Sequence, residues 1–236
     1  MTSPTGFRKR FRELQESARE PGLTALLIIE VVLIFVAAPL AGMGVLPQIV
    51  VPLMFVVLVV AILVVTSRSH VAAALVVVAV VLSPTGAFVQ QEHPSLVTEC
   101  LSSAARLLAL SALSWVIARA VFGPGKVTLH RVQGAVVLYL NFALFFFVLY
   151  RLILTVAPDA FSGLPTAGAE RGSGAALLYF SFTTLTTVGF GDITPLHPMA
   201  RNIASLEAVI GQLFPATLLA RLVSLELEHR RSARKP

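Results

Sequence analysis

The chain has 236 residues, 56% of them hydrophobic and only 13% Asp, Glu, Lys or Arg, about half the charge of an ordinary soluble domain. So much apolar sequence, gathered in long blocks, excludes a soluble globular domain and marks an integral membrane protein. The formal net charge of +6 does not point to nucleic acid, because most basic residues stand at the ends and in short loops.

Taken in chain order, residues 1–22 form a basic leader. Phe7, Phe11 and Leu14 recur there at i, i+4 and i+7. The stretch Phe7–Glu20 reads equally well as an amphipathic helix on the inner leaflet or as a solvated leader. A hydrocarbon layer about 30 Å thick needs roughly 20 apolar residues in helix. Four such runs follow, at Leu23–Ala41, Leu46–Thr66, His70–Val89 and Leu96–Phe122. They make residues 23–122 a four-span transmembrane domain. A linker, 123–131, leads to a fifth run at Val132–Ala157 and, after a long connection, a sixth at Met199–Leu225. A short basic tail, 226–236, completes the sequence. These runs are too long and continuous for barrel strands, so the fold expected is an all-α membrane protein.

Lys and Arg set the orientation. Arg8, Lys9, Arg10, Arg12 and Arg19 precede the first run, Arg68 separates the second from the third, and Arg119, Lys126 and Arg131 flank the fourth-to-fifth link. Arg230, Arg231, Arg234 and Lys235 lie in the tail, whereas Gly42–Val45 and Gln90–Ser95 carry no Lys or Arg. The positive-inside rule then places both termini in the cytoplasm of a multi-pass protein of the cell membrane. Arg151, Arg171 and Arg201 fall toward the opposite side. Cys100 alone excludes an internal disulfide framework and a cysteine zinc site. The five histidines are scattered, with no HExxH, and no enzyme chemistry is expected.

The connection between the last two runs carries the chemistry. Ala175–Phe182 reads as an apolar helix too short to cross, with Ser173 as its N-cap. Thr186-Thr187-Val188-Gly189-Phe190-Gly191-Asp192 follows. A short helix in and an extended segment out make a re-entrant loop, tolerated at membrane depth only where protein buries it or it lines an aqueous path. Pointing successive carbonyls at one axis requires φ > 0 at alternate positions, which Gly189 and Gly191 supply without a Cβ clash. A ring of carbonyls can replace the water shell of a permeant K+ ion.

These residues resemble the selectivity filter of the potassium channel family, in the variant with Phe190 where many members have Tyr. The resemblance runs from about Val132 to Leu225 and implies a homotetramer, since each chain has one pore loop. It implies a pore domain over 132–225 with outer helix, turret, pore helix, filter and inner helix. The ion ligands would be the backbone carbonyls of Thr187, Val188, Gly189 and Phe190, plus the Thr187 hydroxyl, with Gly191 completing the filter. Thr186, Thr183, Thr184 and Glu207 would support it, and Asp192 would stand just outside, where its carboxylate braces the filter and helps attract cations. Tyr179 and Phe180 stand where many members have tryptophan. Gly211 matches the family's gating hinge; close packing on the pore helix is an equal alternative. Pro215, one turn on, predicts a kink. Gln212, Pro215, Leu219 and Val223 share one helical face, which would line the cavity. Glu207 is an intramembrane carboxylate, expected either to hydrogen-bond Thr183 or Thr184 behind the filter or to remain protonated, with bracing favoured over ion contact.

The four-span domain lacks a sensor repeat. Its fourth run holds only Arg106 and Arg119, thirteen positions apart, so weak or no voltage dependence is expected. Pairing among Glu30, Glu99 and Arg106, for example Glu30 with Arg106, is favoured over a sensing role for them. The function expected is passive, K+-selective conduction across the lipid bilayer, with K+ as permeant ion and no organic cofactor. A weakly selective cation channel, a pore controlled by a regulatory partner protein, and a non-conducting scaffold or sensor remain as alternatives.

Overall fold

The computed structural model describes residue 24 and residues 27–46, 96–123, 129–165 and 170–233. The basic leader, the second and third predicted spans and part of the first lie outside the described residues. Three helices are long and apolar enough to cross a membrane, over Leu96–Arg119, Arg131–Val156 and Pro198–Arg221. They correspond to the fourth, fifth and sixth predicted spans, and make this an all-α membrane protein among the described residues.

Helix α1 (Leu27–Gly42) is the described part of the first span, and Leu33–Ala37 within it is wound as a π-turn. Helix α2 (Leu96–Phe122) has the bounds its apolar run predicts. Helix α3 (Leu129–Val156) follows; Ala157-Pro158 stops it, because the residue before a proline is pushed out of the helical region. Helix α4 (Glu170–Leu185) is the short helix of the connection. It begins ahead of the predicted Ala175, so Ser173 sits inside its first turns and is not its N-cap.

Helix α5 (Pro198–Ala233) starts on a proline, whose fixed φ and missing N–H suit the first helical position. The Met199 N–H donates to His197 Nδ1 at 3.2 Å just ahead of it. The helix continues past the predicted end at Leu225, because the residues there are mostly good helix formers and Pro236 is the next proline.

Helices α2 and α3 pack as an antiparallel pair with α1 against them. Leu33 and Ala37 of α1, Leu113, Ile117 and Val121 of α2, and Ala135 and Leu138 of α3 form one buried cluster. Asn141 is buried in this seam and donates to the Leu110 carbonyl at 3.2 Å and the Ser114 hydroxyl at 2.6 Å. A second cluster joins α3, α4 and the connection through Phe146, Tyr150, Phe161, Leu177, Phe180 and Ile193. Its rings meet edge to face: Tyr150 with Phe180 at 5.1 Å and Phe161 with Phe180 at 5.5 Å. Each such pair contributes about 0.5–1.5 kcal/mol beyond the area buried.

A two-stranded clasp closes the connection. Strand β1 (Phe161–Ser162) pairs antiparallel with β2 (Thr194–Pro195), Phe161 opposite Pro195 and Ser162 opposite Thr194. The Leu196 N–H also donates to the Ala160 carbonyl at 2.8 Å. Gly163 has φ 83°, and a Cβ there would collide with the Asp192 carbonyl oxygen. Only glycine fits where the chain leaves β1.

The charged groups of the first four spans pair otherwise than expected. Glu99 is 5% exposed and bonds Arg151 of α3 at 3.1 Å, while Arg106 lies within electrostatic reach of that pair. Glu30 is buried, and its Oε2 bonds no side chain among the described residues. The Glu30–Arg106 pairing is therefore not formed there. The pair formed is a different one: Arg151 supplies Glu99 with a counter-charge from a neighbouring helix. The same pairing neutralises an arginine that stood against the predicted orientation.

Candidate functional site

Helix α4 delivers the chain to the segment Thr186–Asp192 and then holds it from behind. After Leu185 the N–H of Thr186 still reaches the Phe182 carbonyl at 3.0 Å, and that of Thr187 the Thr184 carbonyl at 2.9 Å. The Thr183 carbonyl then accepts twice, from Val188 N–H at 2.9 Å and Gly189 N–H at 3.1 Å. These bonds close the last turn of the helix with the first residues of the extended segment, satisfying carbonyls that a helix end otherwise leaves bare.

The backbone then alternates. Thr187, Gly189 and Gly191 have φ 58°, 52° and 79°, while the residues between them do not take positive φ. For the glycines this carries no Cβ penalty. For Thr187, a β-branched residue, it stores about 1–3 kcal/mol of strain. Something must hold Thr187 there, and two bonds do: its own N–H to Thr184, and a bond from Gln212 Nε2 of α5 to its hydroxyl at 2.6 Å. Sequence reasoning placed Gln212 on the cavity face and did not foresee that contact.

The outer end is fixed by aromatic contact. Tyr179 and Phe190 stack at 6.3 Å with an interplanar angle of 6°, and Asp192 lies within electrostatic reach of the Tyr179 phenol. Phe190 brings no hydroxyl, so its hold on α4 is by ring stacking. The Tyr139 hydroxyl of α3 donates to the Leu185 carbonyl at 3.2 Å, pinning the inner end of α4.

Glu207 does not brace Thr183 or Thr184. The Thr183 hydroxyl turns back to the Phe180 carbonyl at 3.0 Å, and that of Thr186 to Phe182 at 2.7 Å. Glu207 instead meets Tyr150 Oη at 2.5 Å and Ser181 Oγ at 2.6 Å. Ser181 lies two residues before Thr183, on the face of α4 turned toward α5. Neither Tyr150 nor Ser181 was among the expected site residues; an inward-facing polar residue on each of three neighbouring helices was the available signal.

Helix α5 divides cleanly. Glu207 and Gly211 are buried, whereas Gln212, Pro215, Leu219 and Val223 are exposed along the opposite face. Gly211 abuts α4: a Cβ there would overlap the Leu185 carbonyl. Pro215 lies inside the helix without ending it, and its missing N–H leaves the Gly211 carbonyl without its usual partner. Farther along, Arg221 donates to the Phe122 carbonyl, its guanidinium 5.6 Å from the Phe122 ring centre. That bond ties α5 to the end of α2.

Chemically, the segment offers consecutive backbone carbonyls and one hydroxyl, a donor set suited to a large, weakly hydrated monovalent cation. No cluster of three or more His, Cys, Asp or Glu able to hold a metal ion occurs among the described residues.

Comparison with known proteins agrees in location. A family model described as "Ion channel" matches residues 134–227, from α3 to within α5. Protein LctB of Bacillus caldotenax is 32% identical over 94 residues, covering 39% of this chain and 69% of LctB. Protein LctB of Geobacillus stearothermophilus is 33% identical over 95 residues, covering 39% and 66%. No solved structure matches the chain.

Proposed function

As the chain belongs to the ion channel family whose model covers residues 134–227, we propose that it is a potassium-selective channel. It assembles as a homotetramer in the cell membrane, both termini cytoplasmic, and passes K+ passively down its gradient. The observation that carries this reading is the alternation of positive φ at Thr187, Gly189 and Gly191, directly after a short helix that enters and does not cross. A stretch of backbone held so is pre-shaped to offer oxygen after oxygen along one line. In this reading the carbonyls of Thr187, Val188, Gly189 and Phe190 and the Thr187 hydroxyl replace the hydration shell of the ion.

Fourfold assembly is supported by the bareness of α5. Only 11% of its apolar window is buried within one chain, and Leu213, Leu219 and Val223 are all more than half exposed. A single loop per chain cannot encircle an ion, and four can. Arg106 and Arg119 are the only cations of α2. Arg106 lies near the Glu99–Arg151 pair, and Arg119 rests 5.4 Å from the Trp115 ring centre. Moving one charge through the field is worth about 2.3 kcal/mol per 100 mV, so this helix supports at most weak voltage dependence.

The test is K+ flux into liposomes holding the purified protein, with Na+ and Rb+ in competition and Ba2+ as blocker. Rb+ competing and Na+ failing to compete is the expected result. Equal Na+ and K+ flux would make it a weakly selective cation channel. Absence of flux across pH and voltage would leave a scaffold or a pore awaiting a partner.

A further inference from the structure

Tyr150 of α3, Ser181 of α4 and Glu207 of α5 are each 0% exposed, and their polar atoms meet where the three helices touch. Three short oxygen–oxygen contacts run through them. Tyr150 Oη lies 2.5 Å from Glu207 Oε2, Ser181 Oγ lies 2.6 Å from Glu207 Oε1, and the same Ser181 Oγ lies 2.8 Å from the Ala143 carbonyl of α3.

Counting protons decides the state of the carboxyl group. Each of these contacts needs one proton between its oxygens. Each hydroxyl brings one, and a carbonyl or an ionised carboxylate brings none. Two protons cannot serve three contacts. With Glu207 ionised, Ser181 could satisfy either Oε1 or Ala143, leaving two lone pairs facing each other across the other contact. A proton on Oε1 resolves this. Tyr150 then donates to Oε2, Oε1–H donates to Ser181, and Ser181 donates to Ala143.

The surroundings favour the same answer. No Lys, Arg or His among the described residues bonds Glu207. Arg151, beside Tyr150 on α3, is engaged by Glu99. Arg201, on α5, donates to the Pro195 carbonyl. On α3 the other titratable group within electrostatic reach is the Tyr139 phenol, which donates to Leu185. On α4, the Tyr179 phenol faces Asp192 and not Glu207 as its charged neighbour. A buried carboxylate without a cation is far costlier than a neutral acid whose oxygens are all bonded.

We infer that Glu207 is a positioning residue acting as a neutral carboxylic acid, its proton completing a relay from Tyr150 to the Ala143 carbonyl that seats α4 against α3 and α5. What it positions is the Thr183 carbonyl, two residues beyond Ser181, which holds Val188 and Gly189 from behind. Removing the proton breaks the relay at Ser181, loosens α4 and lowers conduction. That last consequence rests on the channel reading; the proton itself does not.

The experiment uses the full-length protein in liposomes and two readouts. Infrared spectroscopy at neutral pH should show a carboxylic-acid C=O stretch that Glu207→Gln removes. Tyr150→Phe, which takes away the bond to Oε2, should shift that band to higher frequency, and serves should Glu207→Gln fail to assemble. K+ flux of the unaltered protein should fall about tenfold as the pH is raised, the ratio given by one lost hydrogen bond of about 1.4 kcal/mol. Glu207→Gln should hold its flux over the same range, because an amide keeps a donor on one arm and an acceptor on the other at every pH. No acid band sensitive to either substitution overturns the inference, whatever the flux. A band present with identical pH profiles for both proteins overturns the positioning role. Absence of flux in the unaltered protein defeats the channel reading and the positioning role with it, while the band still decides the proton.

Discussion

Gly211→Ala is the sharpest single test of how the inner helix meets the re-entrant helix. The added Cβ would overlap the Leu185 carbonyl oxygen and stand 2.7 Å from its carbon and 3.2 Å from its Cα, where ordinary contact begins at 3.4 Å. The obstacle is backbone, so no side chain can swing aside. The helices must part farther than the roughly 0.7 Å that the carbonyl carbon alone would require, the difference between 3.4 Å and 2.7 Å, because the overlapping oxygen lies nearer still. Inserting a methyl into packing this tight costs about 1–3 kcal/mol, incurred once in every subunit. The displaced carbonyl is the one that Tyr139 holds, so the strain reaches the start of the conducting segment. Thermal dissociation of the detergent-solubilised assembly should therefore occur at a lower temperature, with K+ flux reduced in parallel. An unaltered dissociation temperature with unaltered flux would refute the packing argument. Unaltered stability with altered open-state occupancy would instead show Gly211 acting as a hinge, for which Pro215 has already removed one helix bond.

Other outcomes are expected along the same segment and behind it. Gly189→Ala should abolish K+ over Na+ discrimination in the flux assay with little change in assembly. Its Cβ would meet nothing within 4 Å, so the effect is left-handed backbone strain of about 1–2 kcal/mol per subunit; retained selectivity would contradict the assignment. Gln212→Leu removes the donor that holds the Thr187 hydroxyl, a bond worth about 0.5–1.5 kcal/mol, and should lower K+ flux and discrimination against Na+ severalfold. A flux ratio unchanged from that of the unaltered protein would show that the bond does not set the Thr187 conformation. Arg151→Leu should destabilise the solubilised protein more than Glu99→Gln, since it strands a carboxylate that is 5% exposed while Arg151 itself is 41% exposed. The loss should stay below the roughly 3–5 kcal/mol typical of fully buried pairs, and equal shifts in thermal unfolding would count against the pairing.

The hydropathy of the chain was enough to bound α2 to the residue and to place both ends of α3 and the start of α5 within a few, because a span must be long and unbroken to satisfy its backbone in lipid; the far end of α5, at Ala233 and not Leu225, was not. The TTVGFGD segment was legible for a different reason: glycine at alternate positions after a short apolar helix has few other uses. What escaped was everything depending on which helix faces which. Glu207 stood out as an intramembrane carboxylate, yet its spacing could not say that Ser181, and not Thr183, would lie opposite. Arg151 looked like a misplaced topology signal until Glu99 was found beside it. The β1–β2 clasp was beyond reach, since two-residue strands leave no periodicity to detect. Thr187 carried no warning either; nothing in a threonine announces a positive φ, and the bonds that hold it, to Thr184 and from Gln212, are visible only in the fold.

The clasp between Phe161–Ser162 and Thr194–Pro195 has a consequence for the order in which the molecule is made. It ties off the whole excursion between Ser162 and Thr194 within one chain, and the Thr183 carbonyl fixes Val188 and Gly189 inside the same excursion. In the fourfold assembly proposed above, each subunit would bring its own share of the conducting wall already shaped by contacts to its own backbone, so that assembly would join such edges and would not have to mould them.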